Sequence, residues 1–209
     1  ILPQSAHQVA FAYQRTFPKQ NLFLSVETYY KAMNQLIGYR EGANLAFNTD
    51  FESELVQGSG RSYGLEILLK KEAGKFTGWI SYTLSRADRQ FDEINGGKRF
   101  LARYDRRHNL AVVGNYQFNE RWSFSSVFEF ISGSRFTPII GQYVVPVPTG
   151  LGVNLIPVYA PINSVSLANA HRLDIGIKLR NKPHRKIKGE WFFGIYNIYN
   201  RATPIGISI

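Results

Sequence analysis

The chain has 209 residues, a formal charge of +10 and no cysteine, which excludes a disulfide framework and any thiolate metal site. A hydrophobic content of 44% excludes disorder, and no stretch approaches the roughly 20 consecutive apolar residues of a membrane-spanning helix. Aromatics at 14% and 18 glycines beside only 19% charged residues are unusual for a soluble enzyme.

Taken in chain order, the pattern is period-two alternation with almost no helical stripe. Residues 7–15 place Val9, Phe11 and Tyr13 on one face, and a short turn follows at 18–21. Residues 22–30 carry Leu22, Leu24 and Val26 on one face, and a long connection runs over 33–61. Tyr63, Leu65, Ile67 and Leu69 then alternate with Ser62, Gly64, Glu66 and Lys70, interrupted by Leu68. After a turn at 72–75, Phe76, Ile80, Tyr82 and Leu84 alternate with Thr77, Ser81, Thr83 and Ser85, with Trp79 among the polar set. A second long connection covers 86–107. Leu110, Val112, Tyr116 and Phe118 alternate with Asn109, Ala111, Asn115 and Gln117, and a turn at 119–121 leads into Trp122, Phe124, Phe128 and Phe130 opposite Ser123, Ser125, Val127 and Glu129. A third long connection occupies 134–170. Leu173, Ile175, Ile177 and Leu179 alternate with Asp174, Gly176 and Lys178, a turn falls at 182–185, and residues 191–199 are so aromatic that their two faces are not separable.

The expected fold is therefore all-β, with about eight strands of roughly nine to twelve residues, long for a soluble sheet and suited to crossing a membrane. Short and long links alternate along the chain, as in an up-and-down outer-membrane barrel whose long loops face outward. A soluble sandwich or barrel would also alternate. Against it stand the strand length and the aromatics near strand ends (Tyr63, Tyr116, Phe118, Trp122, Phe130 and Trp191), as an interfacial girdle requires.

Two long runs, residues 62–71 (SYGLEILLKK) and 78–85 (GWISYTLS), together with 89–95 (RQFDEIN), 104–108 (YDRRH), 171–174 (HRLD) and 196–201 (YNIYNR), resemble the C-terminal barrel of TonB-dependent outer-membrane receptors. The closest group carries a carboxypeptidase-regulatory-like domain ahead of its plug. The resemblance implies that residues 1–209 are the C-terminal portion of a transmembrane barrel of about 22 strands, with the plug and the final strand absent. It implies active uptake of a scarce ligand (siderophore, cobalamin, glycan or peptide) across the outer membrane of a Gram-negative bacterium. The implied partners are outer-membrane lipid and lipopolysaccharide, the TonB complex through the absent N-terminal part, and a surface lipoprotein lid. The alternative expectation is a self-contained small outer-membrane barrel with a structural or adhesion role.

Binding residues concentrate on loops held by a rigid scaffold. The first long connection offers Tyr39, Arg40 and Phe47; the second offers Arg103 and Tyr104; the third offers Phe136, Tyr143 and Tyr159 among Pro146, Pro148, Pro157 and Pro161. These aromatics either stack on a ligand ring or pack against neighbouring loops. The cluster at 104–108 reads either as a rim contact for substrate or lipopolysaccharide phosphate, or as a structural Asp105–Arg106 pair pinning a strand end. His171, Arg172 and Asp174 read the same way, with His171 and Asp174 on opposite faces of their strand. No nucleophile elbow or zinc-type histidine spacing occurs, so no catalytic residue, metal site or cofactor is expected. The basic residues divide between the two ends of the strands, with Arg86, Arg89, Arg99, Arg103, Arg106 and Arg107 at one and Arg180, Lys182, Arg185, Lys186 and Lys188 at the other. No single basic stripe results, which argues against nucleic acid and suits lipid phosphates on both membrane surfaces.

Overall fold

A computed structural model describes residues 2–43, 49–146, 153–182 and 188–202. Phe47, Pro148, Arg185 and Lys186, named above, lie outside the described residues, and with them most of the turn expected at 182–185.

The strands are β1 (Ser5–Phe17), β2 (Leu22–Tyr39), β3 (Leu55–Lys71), β4 (Phe76–Phe91), β5 (Phe100–Leu101), β6 (His108–Gln117), β7 (Trp122–Ile131), β8 (Arg135–Phe136), β9 (Ile139–Pro146), β10 (Val153–Tyr159), β11 (Val165–Ser166), β12 (Ala170–Arg180) and β13 (Glu190–Ile195). The described helical turns are short 3₁₀ segments, and none is long and apolar enough to cross a membrane. Eight strands lie side by side in the order β1-β2-β3-β4-β6-β7-β12-β13, each antiparallel to its neighbours, and β5 adds to β4. The chain is thus all-β, built on one antiparallel sheet that meanders in sequence order.

Register sorts the side chains. Residues directly opposite one another share a face, and the cross-strand row Leu24–Leu69–Ile80–Val112–Phe128–Leu173 runs through six strands without a polar member. The other face carries rows such as Glu27–Glu66–Thr83–Asn109 and Asn115–Ser125–Gly176. It also carries the apolar stretch Trp79–Val113–Val127, flanked in the same row by Lys70 and Asp174, which accounts for the tryptophan among polar alternates. The register also separates the aromatic C-terminal run: Trp191, Phe193 and Ile195 join the apolar face, and Phe192 the polar one.

Three expectations change. First, β2, β3 and β4 have 18, 17 and 16 residues, so the first long connection begins later and ends sooner than alternation implied, and the second begins later. Period-two reading stopped at Met33 because a bulge shifts the register between Met33 and Leu36, with Gln35 at φ 55°. It stopped at Arg86 because the continuation is charged, and it missed residues 55–61 because glycine and polar side chains hide their strand character. Second, the third connection contains an antiparallel hairpin of β9 and β10. Third, the last strand ends at Ile195, and Tyr196 to Tyr199 form a turn instead of its continuation.

Past the bulge the parity inverts, so Leu36 and Gly38 face the same side as Val56, Gly58 and Phe91. There the extended ends of β2–β4 bury a small core of Val56, Phe91, Ile94 and Phe100, joined by Leu36 and Ile162. It roots the long loops on the end of the sheet.

Candidate functional site

The loops converge at this end. β2 and β3 are clamped where they leave the sheet by Arg40, whose Nε and Nη2 donate to Glu54 Oε2 and Oε1 at 2.5 and 2.9 Å. The Arg40 amide also donates to the Glu54 carbonyl at 3.0 Å. The hydrogen bonds from Arg40 hold the Glu54 carboxyl below its ordinary range, and those same bonds raise the Arg40 guanidinium further. One residue on, Glu41 Oε1 accepts the Asn95 amide at 2.6 Å and ties the first loop to the second. The second loop turns through Asn95, Gly96 and Gly97, all at positive φ (57°, 60° and 72°), which two glycines adopt without steric cost. The third loop is joined to the second by Asn163, whose Nδ2 donates to the Leu101 carbonyl at 2.8 Å and whose amide donates to Thr137 Oγ1 at 2.9 Å.

Between these three loops lies a cavity of about 700 Å³, lined in part by Glu41, Asn95, Thr137, Tyr143, Ile156 and Tyr159. Its size matches pockets that hold a small organic ligand, and its wall has the same make-up: apolar and aromatic surface with a few polar groups. Tyr143 and Tyr159 are mostly exposed, so their rings present faces to whatever enters.

Of the residues named from sequence, the structure brings Tyr143 and Tyr159 together in this cavity. Tyr39 is exposed at the end of β2, and Arg40 is engaged with Glu54. Phe136 sits in β8, paired with Val165. The Tyr104 hydroxyl accepts from Arg89 Nη2 at 3.4 Å, with the guanidinium 5.4 Å from the ring centroid. Arg103 accepts the Arg135 amide through its carbonyl. The carboxylate of Asp105 is buried, and its Oδ1 accepts the Ala87 amide at 2.7 Å. The nearest guanidinium to Asp105 is that of Arg135, at 3.9 Å, and not that of its sequence neighbour Arg106, whose carbonyl accepts from Ser85 Oγ. Asp105 thus ties the loop ahead of β6 to the backbone of β4 at Ala87.

At the far side of the sheet, Arg172 pairs with Asp174 at 3.0 Å and Glu129 at 2.9 Å on the polar face and donates to the Tyr196 hydroxyl. Asp174 also accepts the Asn197 amide, at 2.8 Å, which anchors the turn after β13. His171 points to the other face, where its Nδ1 meets the Tyr199 hydroxyl at 2.8 Å. Sequence reasoning missed Glu41, Asn95 and Thr137 as cavity residues. The Asn95-Gly96-Gly97 turn was a legible local signal; the others required the loops' relative positions.

Compared with known protein families, with curated proteins and with solved structures, the chain gives no match.

Proposed function

We propose that this chain is a sector of an outer-membrane barrel wall with its ligand-gathering loops, part of a receptor for energy-coupled uptake. The observation that carries the reading is the depth order on the apolar face. Its middle rows are aliphatic or Phe apart from Gly78, Gly114 and Ser126 in one row and Arg15 at the β1 end of another. Toward the short turns it ends in Phe76, Tyr116, Trp122 and Trp191, and toward the long loops in Tyr30, Tyr63, Tyr82, Phe130 and His171. From Trp122 to Phe130 is about 26 Å along the strand at ~3.3 Å per residue, against an apolar band of about 25 Å in outer-membrane barrels. Much of this face is open: Ile80 is 45% exposed, Phe76 51% and Trp191 63%. A soluble monomer rarely leaves so large a contiguous apolar surface in water.

The sheet's two outermost strands, β1 and β13, each present an edge without a strand partner among the described residues. Lipid has no donors or acceptors for such edges. We therefore read the sheet as an arc of a larger closed barrel, consistent with the receptor-like motifs, in which β3 and β4 carry the two longest runs. On this reading the polar face lines a wet lumen, and the loop cavity takes a ligand with a ring or apolar surface, oriented by the Glu41 carboxylate.

The chain's three tryptophans test the membrane placement. Trp122 and Trp191 lie on the apolar face and Trp79 on the polar face. With the chain in its complete barrel, any tryptophan outside these 209 residues replaced by Phe, in vesicles of brominated phosphatidylcholine, the emission of Trp79→Phe should be quenched, and that of the Trp122→Phe/Trp191→Phe double variant should not. Equal quenching of both variants, or of neither, sinks the proposal.

A further inference from the structure

On the apolar face, just beyond the tyrosine row nearest the long loops, β3 and β4 change character abruptly. Along β3 the residues on this face run Leu69, Ile67, Leu65, Tyr63, Arg61; along β4 they run Ile80, Tyr82, Leu84, Arg86, Asp88. Tyr30 and Tyr63 stack at 6.3 Å between ring centroids, and Arg86 stands directly across from Tyr63. One row further out, Arg61 stands directly across from Asp88. Two residues of strand advance about 7 Å, so the cations begin in the tyrosine row itself with Arg86, whose side chain reaches outward to Asp88, and continue one layer further out with Arg61.

The cations share a single carboxylate. Asp88 is 1% exposed, and Arg61 Nε donates to its Oδ1 and Oδ2 at 3.1 and 3.2 Å. Arg99 Nη1 donates to Oδ1 at 2.7 Å, and its Nη2 donates to Gln90 Oε1 at 2.9 Å. Arg86 Nε stands 3.4 Å from Oδ2 and, though buried, makes no hydrogen bond. Three guanidiniums around one carboxylate leave two positive charges uncompensated, and each guanidinium brings five N–H donors. All three side chains stay about a third exposed, so unspent donors face outward. Like charges held this close raise the energy of the cluster unless an anion joins it.

We infer that Arg61, Arg86 and Arg99, gathered by Asp88, form a clamp for the phosphate of a lipid headgroup in the outer leaflet. This rests on the membrane placement proposed above, because the depth order supplies the occupant. The aliphatic rows meet acyl chains, the Tyr30–Tyr63 pair sits at the level of the ester and amide linkages, and the next layer is where phosphates lie. Arginine suits that ligand, since its planar fork meets phosphate oxygens two at a time. A monoester phosphate of charge −1.5 to −2 matches the surplus. Asp88 acts as the organiser: it orients three cations that would otherwise splay apart, while remaining too buried to meet the anion itself.

The test is native mass spectrometry of the whole barrel protein of which this chain is a sector, in a neutral maltoside detergent, with diphosphorylated lipid A or its dephosphorylated form as the probe. The wild type should hold the phosphorylated lipid at least about tenfold more tightly than the dephosphorylated one. Arg86→Gln should remove most of that preference, and Arg86→Lys should restore part of it. Arg86 is the informative position because Arg61 and Arg99 still neutralise Asp88 in its absence, so the fold is kept. Equal binding of both lipids, or an unchanged Arg86→Gln variant, overturns the inference while leaving the membrane placement standing. Displacement of the lipid by an equal concentration of inorganic pyrophosphate also overturns it, in favour of a soluble anion. Failure of the whole barrel protein to retain either lipid, together with its failure to insert into phosphatidylcholine vesicles, overturns both readings.

Discussion

Phe91 occupies the space that a side chain on Gly58 would need. A Cβ built on Gly58 would come within 2.4 Å of Phe91 Cδ1 and 2.3 Å of the Gln90 carbonyl oxygen. The ring is 2% exposed and stacks on Phe100 at 6.2 Å between centroids, so it is the centre of the core that roots the loops. Gly38, across β2, lies against the same ring, with Cβ distances of 3.1–3.2 Å.

Gly58→Ala should therefore destabilise the loop end of the sheet by about 1–3 kcal/mol, since neither the neighbouring backbone nor a packed ring can yield cheaply. Phe91→Ala should cost more, about 3–5 kcal/mol, by leaving a cavity among Val56, Ile94 and Phe100. Urea unfolding of the detergent-solubilised chain, followed by hydrogen exchange at Ile94 and Ala102, measures both. Loss of protection confined to the loops and the outer ends of β2–β4 is the expected outcome.

A second prediction separates the two faces of β4. Ile80 is on the apolar face, in line with Leu69 and Val112, whereas Thr83 is on the polar face opposite Glu66. Ile80→Arg should cost about 2–4 kcal/mol of folding stability in lipid, as for a cation at the bilayer midplane. Thr83→Arg should change stability by less than about 0.5 kcal/mol. In aqueous buffer a half-exposed isoleucine would tolerate arginine nearly as well as threonine does, so equal effects would count against the membrane assignment.

The Arg40–Glu54 clamp responds to pH. Because Arg40 depresses the Glu54 carboxyl, the bond's contribution is present above the ordinary glutamate value of about 4.3 and is lost as pH falls through the lower folded value. The Arg40 Nε–H resonance should stay protected from solvent exchange throughout the ordinary glutamate titration range and lose that protection only at a pH below it. In Glu54→Gln it should be unprotected throughout. Retention of the signal in acid by the wild type would contradict the clamp.

How much of this was legible in the chain follows from the range of each interaction. Alternation is local, so Leu65, Ile67 and Leu69 on one face and Glu66 on the other could be assigned from a few neighbouring residues. The short turns were equally local. The faces of Trp191, Phe192 and Phe193 were not, because an unbroken aromatic run carries no parity until Leu179 and Lys178 of β12 supply a register.

Strand ends were misjudged wherever partner strands override propensity. Asp88 is a poor strand former that becomes one of the most buried side chains only because Arg61, twenty-seven positions away, and Arg99, eleven away, converge on it. Gly58 and Gly60 look like loop residues until the Phe91 ring and the Leu36 side chain fill the spaces beside them. In the same way Arg40 looked like a free cation on a loop, and Asp105 like a partner for Arg106. Glu54 and the Ala87 amide claim them instead.

By itself, then, the sequence determined the all-β class, the two-faced character of each strand and the alternation of short and long links, because these depend on steric and solvation preferences acting over a few residues. Only the tertiary structure decided the extra length of β2–β4, the bulge at Gln35, the loop cavity and the clustering of three arginines on one carboxylate. Each of these depends on which distant residues the register sets side by side, and no local pattern encodes that.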